Sequence, residues 1–156
     1  MRLGVVVIGR NEANALSRCL LTALPYAPAV VYADSASTDD SVAIAERMGV
    51  AVVRVTGQPM SAARGRNEGR ALLRERFPSL EYIQFIDGDC ELEAGWIERA
   101  MALLDQQPDV GVVAGRLRER FRERNAYHRL ADMEFDTATP MRSAIATLSS
   151  VDALSA

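Results

Sequence analysis

Short, strongly apolar runs alternate with stretches of helical periodicity through the first hundred residues, and each apolar run ends in a polar turn. Residues 3–8 (Leu-Gly-Val-Val-Val-Ile) form the first run and pass into Gly9-Arg10-Asn11-Glu12. Leu16, Cys19, Leu20 and Ala23 then recur at helical spacing, until Pro25 and Pro28 close the helix. Residues 30–33 predict a second strand ending at Asp34. Ser37-Thr38-Asp39-Asp40 is suited to cap a helix packed through Val42, Ile44, Ala45 and Met48 and stopped at Gly49. A third strand is expected at 50–55, a helix at 61–76, a strand at 82–86, a helix at 94–104 and a fifth strand at 110–113. Strands apolar on both faces and separated by helices predict an α/β fold, a mostly parallel sheet flanked by helices as a three-layer sandwich.

The final third is less regular. Arginine recurs at every second residue from Arg116 to Arg124, which on a strand would place five arginines on one face. A solvated helical or irregular segment fits as well, because Glu119 and Glu123 interrupt the positive field. Residues 127–135 predict a helix, with Leu130 and Met133, or Glu134 and Phe135, near its packed boundary. Pro140 resets the chain before a last, weakly helical stretch.

Chemistry concentrates where strands end. Phe85-Ile86-Asp87-Gly88-Asp89 delivers two carboxylates to a turn at the carboxyl end of an apolar strand, the usual ligand side of an open α/β sheet. Gly88 permits close backbone approach, and the carboxylates suit Mg²⁺ or Mn²⁺ held against phosphate oxygens. Asp89 is the first choice for the metal carboxylate, with Asp87 in the metal shell or near a ribose; an ordinary acidic turn is the plain alternative. Asp34 ends another strand on the same edge and suits a hydrogen bond to a base or sugar, although the residues after it also read as a helix cap. Arg64, Arg66 and Asn67 lie early in a helix that also contains Gly65 and Gly69. Arg64 and Asn67 share a face and Arg66 points elsewhere. These arginines suit a diphosphate or, as readily, surface ion pairs. Weak helix formers at Gly65 and Gly69 hint at a close ligand or a closely packed backbone. Trp96, beside Ile97 and Leu103, reads as helix-to-sheet packing.

Taken in order, these motifs resemble the family 2 glycosyltransferases, which have the glycosyltransferase-A fold. The resemblance spans residues 3–115: Val6-Val7-Ile8-Gly9-Arg10-Asn11-Glu12, Asp34-Ser35-Ala36-Ser37-Thr38-Asp39, Arg66-Asn67-Glu68-Gly69, Phe85-Ile86-Asp87-Gly88-Asp89 and Gly95-Trp96. It implies a nucleoside-diphosphate sugar donor, commonly a uridine nucleotide, a divalent metal, and transfer with inversion to a saccharide, lipid or protein acceptor. By the same resemblance Asp34 matches the nucleobase-contacting position, and Asp87 and Asp89 match the diphosphate-and-metal motif. Arg10 departs from the family's frequent Tyr or Phe before Asn-Glu. Residues 1–115 are thus expected to form a sugar-nucleotide-binding core. Residues 116–156 then form a partial acceptor side or a C-terminal extension within the same domain. The family's acidic general base has no recognisable counterpart. Asp132, Glu134 and Asp136 are acidic without a matching pattern, so the chain reads as a shortened form or a donor-binding domain.

With 156 residues, 49% of them hydrophobic, the chain has enough apolar material for one packed core. A formal charge of −3 gives no global signal for nucleic acid. No apolar stretch approaches the ~20 residues that cross a bilayer, and no signal-peptide pattern opens the chain. A cytoplasmic location is expected, compatible with loose attachment to the membrane surface. Cys19 reads as a buried helical residue and Cys90 as lying near the acidic site, with no disulfide expected between them. Two other functions remain: a non-enzymatic sugar-nucleotide-binding or regulatory module, and a nucleotidyltransferase, the latter weakened by the missing glycine-rich phosphate loop. Gly9-Arg10-Asn11-Glu12-Ala13-Asn14 also lacks the Gly-x-Gly-x-x-Gly of a dinucleotide-binding turn.

Overall fold

The computed structural model describes residues 1–135 and 146–150, with the backbone alone for 131, 134, 135 and 146–150. Its elements are β1 (Leu3–Gly9), α1 (Leu16–Ala23), β2 (Ala29–Asp34), α2 (Ser41–Arg47), β3 (Ala51–Arg54), α3 (Ala62–Arg76), β4 (Tyr82–Asp87), α4 (Trp96–Gln106), β5 (Val112–Ala114), α5 (Ala126–Phe135) and β6 (Ala146–Ser150). One sheet takes them in the order β3-β2-β1-β4-β6-β5. Strands β1 to β4 run parallel, as the helical crossovers between them require. β6 lies antiparallel between β4 and β5. The expected α/β sandwich with a mostly parallel sheet is therefore the fold.

Two-residue alternation along the strands divides the core into two layers. Val5 and Val7 of β1, Tyr32 of β2 and Ile86 of β4 join Leu16 and Leu20 of α1, Ala45 of α2, and Ile97 and Leu104 of α4. Their neighbours Val6, Ile8, Val31, Ala33 and Phe85 face the other way, against Leu73 of α3. Trp96 packs on the first layer and donates its indole N–H to the buried Gln84 amide oxygen at 2.7 Å. Leu104, not Leu103, completes that helix face; Leu103 is exposed because it lies one residue, or about 100°, around the helix.

The far end of the chain departs from expectation in three places. The last stretch is not helical: residues 146–150 form β6, whose main chain pairs with Tyr82–Ile86 on one side and Val112–Ala114 on the other. The sheet thus draws a strand from beyond residue 115. Residues 115–125 run as irregular chain and turns, so the alternating arginines do not share a strand face. In α5, Leu130 and Met133 are exposed, whereas His128 and Asp132 are partly covered by Glu119 and Arg122 of the preceding segment. The inward side chains are thus His128 and Asp132 rather than Leu130 and Met133; the side chains of Glu134 and Phe135, the other expected boundary, lie outside the described residues. Pro140 lies outside the described residues.

Helix α3 lies unusually close to β1, and its glycines are the reason. A Cβ on Gly69 would sit 2.4 Å from Val6 Cγ1 and 3.3 Å from Ala33 Cβ. On Gly65 it would meet only Ile8 Cγ2 at 3.5 Å and Ser35 Oγ at 3.7 Å, ordinary contacts. Alanine favours a helix over glycine by about 1 kcal/mol, while overpacking a tight core costs about 1–3 kcal/mol. Gly69→Ala is expected to destabilise the fold by about 1–2 kcal/mol, because fully buried, β-branched Val6 has nowhere to turn. Gly65→Ala is expected to be neutral or stabilising by up to about 1 kcal/mol. Urea midpoints of the two variants measure this; equal midpoints would mean that α3 has slack against the sheet.

Candidate functional site

Because β1 to β4 run parallel, their carboxyl ends meet on one edge. The chain winds outward from β1 through β2 to β3, then crosses to β4 on the opposite side of β1. That reversal opens a crevice between β1 and β4, where open α/β sheets take their ligands. The register is fixed there: Gly9 pairs with Asp34 and Ile8 with Asp87. The Gly88 N–H donates to the Ile8 carbonyl at 2.7 Å, and the Ser35 N–H to the Gly9 carbonyl at 2.9 Å. Above them is an open cleft of about 310 Å³ bounded by Gly9, Arg10, Glu12, Ser35, Asp87 and Asp89, with Met60 to Ala62 on its far side.

The two loops at the crevice are stitched together by side chains. Asn11 N–H donates to Ser37 Oγ at 2.8 Å, Glu12 N–H to Ser41 Oγ at 2.8 Å and Ala13 N–H to Asp39 Oδ2 at 3.0 Å, while Asn11 Oδ1 accepts from Thr38 N–H at 2.8 Å. The Ser37–Asp40 segment thus does more than cap a helix. Asp39 does accept from Ser41 N–H at 3.0 Å, but Asp40, at the helix start, makes no side-chain cap. The Ser41 hydroxyl, with the N–H groups of Ala13 and Ser41, holds the Asp39 carboxyl below its ordinary range. These bonds hold Asn11 and Ala36 at φ of 59° and 62°, a region that side-chain-bearing residues rarely adopt.

Three carboxylates converge on the cleft. Arg66 Nη2 donates to Asp87 Oδ1 at 2.9 Å. Burial pushes the Asp87 carboxyl up, Arg66 opposes that shift and Asp89 adds to it. Glu12, reaching across Gly9 and Gly88, is also raised: first by burial, then by repulsion from Asp89, Asp39 and Asp87. Gly88 makes room for it, since a Cβ there would lie 3.3 Å from both Glu12 Cγ and the Ile8 carbonyl. Both cysteines are free and stay protonated. Cys19 donates to the Asp87 carbonyl with its thiol pushed up to about 12 by burial, and the Cys90 thiol, raised more, donates to Asp89 Oδ1 at 3.4 Å.

Of the residues singled out in the sequence, the fold brings Asp87 and Asp89 to the cleft and Arg66 to Asp87. Asp34 is at the same edge but only 3% exposed, accepting from Ser37 N–H at 3.1 Å and Tyr32 O–H at 3.4 Å. Arg64 instead binds the main-chain oxygens of Thr56 and Pro59, bracing the loop before α3, and Asn67 is exposed. Glu12 and the Asn11 staple carry no role in the sequence reading. Their only signal is the Asn11-Glu12 pair directly after a strand. Among the described residues no group of three or more His, Cys, Asp or Glu side chains is disposed to hold a metal ion. Two carboxylates beside an open cleft still fit Mg²⁺ or Mn²⁺, which commonly take one or two carboxylates and complete their shell with water and substrate phosphates.

The family model for glycosyl transferase family 2 matches residues 4–149. Among solved structures, glucosyl-3-phosphoglycerate synthase from Mycobacterium tuberculosis in complex with UDP is 20% identical with a TM-score of 0.68, and the match covers 96% of this chain and 56% of that one. The same synthase with Mn²⁺, UDP-glucose and phosphoglyceric acid is 20% identical with a TM-score of 0.69, over the same 96% and 56%. S. aureus TarS 1-349 is 20% identical with a TM-score of 0.57, covering 73% of this chain and 35% of that one. At such identities the likeness is one of fold. The chain spans a little over half the length of the synthase.

Crowding of carboxylates at the cleft has a measurable consequence. Glu12 ionises above its ordinary value near 4.5 in the folded state, so its charge costs the fold nothing at lower pH and progressively more as pH rises past that value. In metal-free buffer, Glu12→Gln is therefore expected to melt above the parent at pH 7 and level with it near pH 4. Thermal melts at the two pH values in EDTA test this, and a variant less stable at pH 7 would contradict the assigned repulsion.

Proposed function

The chain belongs to glycosyl transferase family 2, and from that premise we propose that it binds a nucleoside-diphosphate sugar, with a uridine nucleotide as the first candidate, at the β1–β4 crevice. The observation that carries this reading is Asp87-Gly88-Asp89 at the switch point, with Arg66 bonded to Asp87 beside an open cleft. Uridine-nucleotide and Mn²⁺ complexes of the synthase that shares the fold support the choice of donor and ion. Asp89, with Asp87, would hold Mg²⁺ or Mn²⁺. When bound, the ion supplies positive charge to the diphosphate as its bond to the sugar breaks. Arg66, at the start of α3, lies where it can shift from Asp87 to a phosphate oxygen. Asp34 is the proposed partner of the base, reached once Ser37 or Tyr32 yields its hydrogen bond.

In the full reaction an acceptor oxygen forms a bond to the anomeric carbon, with inversion on the present reading. The carbon–oxygen bond to the diphosphate breaks, the electron pair leaves on that oxygen, and the acceptor proton passes to a base. Saccharide, lipid and protein acceptors all remain candidates. No residue of this chain is assigned as that base. Asp132 is engaged by the Glu119 N–H and Arg122, and Asp136 lies outside the described residues.

Asp89→Ala is expected to weaken Mn²⁺-coupled binding of UDP-sugars by about 10- to 100-fold or more, the scale seen when metal sites are damaged. Its circular dichroism should stay unchanged. Titration calorimetry with and without Mn²⁺ reads this, and unchanged metal-coupled affinity in the folded variant would remove Asp89 from the site. Arg66→Ala should weaken the donor with or without metal.

Residues 1–156 alone are expected to bind donor but transfer sugar poorly, because misplacing an acceptor by about 1 Å can cost roughly 100-fold in rate. Mass-spectrometric product detection with polyprenyl-phosphate, saccharide and protein acceptors measures transfer. Rapid product formation would show a complete acceptor side within this chain, and pyrophosphate release would indicate nucleotidyl transfer. Donor binding without transfer, even in a longer natural form, would mark a regulatory module.

A further inference from the structure

The described side chains of helix α5 place polar groups inward and large apolar ones outward. Its ionisable His128 and Asp132 turn toward the molecule, where Glu119 Oε1 accepts from His128 Nδ1 at 2.9 Å and Asp132 Oδ1 accepts from the Glu119 N–H at 3.1 Å. Among its described side chains the large apolar ones turn outward: Tyr127 is 85% exposed, Leu130 54% and Met133 70%, with Phe121 of the preceding turn at 52%. At about 100° per residue the three helical positions fall within an arc of about 120°, so they form one face. Scattered apolar side chains on a surface need no explanation, but a contiguous aromatic and aliphatic face of this kind marks a contact.

The charge around that face selects the contact. Six of the chain's 18 arginines fall within residues 116–129 alongside two carboxylates, Glu119 and Glu123, in a chain of net charge −3; Asp132 and Glu134 follow in α5. Glu123 is paired with Arg122, and Glu119 with His128. Arg120 reaches Glu91. Among the described residues, no hydrogen bond or ion pair engages the guanidinium groups of Arg118, Arg124 or Arg129, all exposed. Arg129 stands one turn from Met133, on the flank of the apolar face. A second copy docked through this face about a twofold axis would bring the same arginines toward one another, which opposes association. A surface with negative headgroups above hydrocarbon accepts both features, apolar side chains entering the interface and arginines reaching the phosphates.

From this juxtaposition we infer that α5 and the preceding 116–124 segment dock the protein on an anionic lipid bilayer. The apolar face of Tyr127, Leu130 and Met133 lies in the interface, and Arg118, Arg124 and Arg129 lie against lipid phosphates. At 10 residues α5 is too short to cross a bilayer, so this contact is peripheral. It does not depend on the proposed donor site.

Co-sedimentation of the whole chain with phosphatidylcholine vesicles, with and without phosphatidylglycerol, is the test. Binding is expected to the anionic vesicles only, and to be largely lost near 0.5 M salt, where the screening length falls to about 4 Å. Basic side chains near such a surface contribute about five-fold each, so replacing Arg118, Arg124 and Arg129 with glutamine should reduce partitioning by about 100-fold. Leu130→Ser with Met133→Ser should abolish insertion at unchanged circular dichroism, and Asp89→Ala should bind vesicles like the parent. Failure to bind anionic vesicles, equal binding to neutral ones, or indifference to both sets of substitutions would overturn the inference. So would light scattering that shows a dimer dispersed by the Leu130 and Met133 changes.

Discussion

The close seating of α3 on β1 is the contact on which the rest of the site depends. Gly65, Gly69 and Leu73 recur every four residues on one buried stripe, and Gly69 lets the helix backbone come within contact of Val6 and Ala33. Arg66 follows Gly65 by one residue, so its position is set by the same approach. Brought that near the sheet, its guanidinium reaches Asp87 at 2.9 Å, on the strand beside β1. A helix held off by even one methyl layer would carry Arg66 away from the carboxylates. The glycines that weaken the helix locally are therefore what assemble the cleft, and the cost in helix propensity is offset by packing against a fully buried strand.

What the fold assembles there is charge without enough counter-charge. Glu12, Asp87 and Asp89 line a cleft with the exposed Arg10, Arg66 is bonded to Asp87 behind them, and burial lifts both Glu12 and Asp87. Such a site is less stable than an apolar edge would be, and the proposed divalent cation would relieve its repulsion. The left-handed Asn11 and Ala36 belong to the same arrangement. Hydrogen bonds between the two loops hold a backbone that neither loop would adopt alone, and they bring Glu12 over Gly88.

Much of this was written in the sequence, and the exceptions share a cause. Strands β1, β2 and β4 are buried on both faces, so their apolar runs and the carboxylates at their ends could be read directly. The placement of Asp87 and Asp89 at the cleft was legible because a strand end is a local feature. Glu12 was not, because its place at the cleft arises only when Ile8 and Asp87 come into register and the β1 loop folds over Gly88. Nor was Arg66 separable from Arg64, since the loop at 56–59 captures one and the sheet edge the other. Strand β6 failed for a similar reason. Ala-Thr-Leu-Ser-Ser has little strand character of its own, and its conformation follows from pairing with β4 and β5.

Helix α5 shows where periodicity stops being informative. Spacing identifies an apolar side and a polar side, but which side faces inward depends on what the neighbouring chain offers. Here it offers Glu119 and Arg122, and these draw in His128 and Asp132. The same segment reaches the site from the other direction. Arg120 and Arg18 both engage Glu91, two residues beyond Asp89, so the loop that follows the metal-suited carboxylates is gripped by α1 on one side and by the arginine-rich segment on the other. One carboxylate therefore links α1 and the arginine-rich segment beside the Asp89 turn.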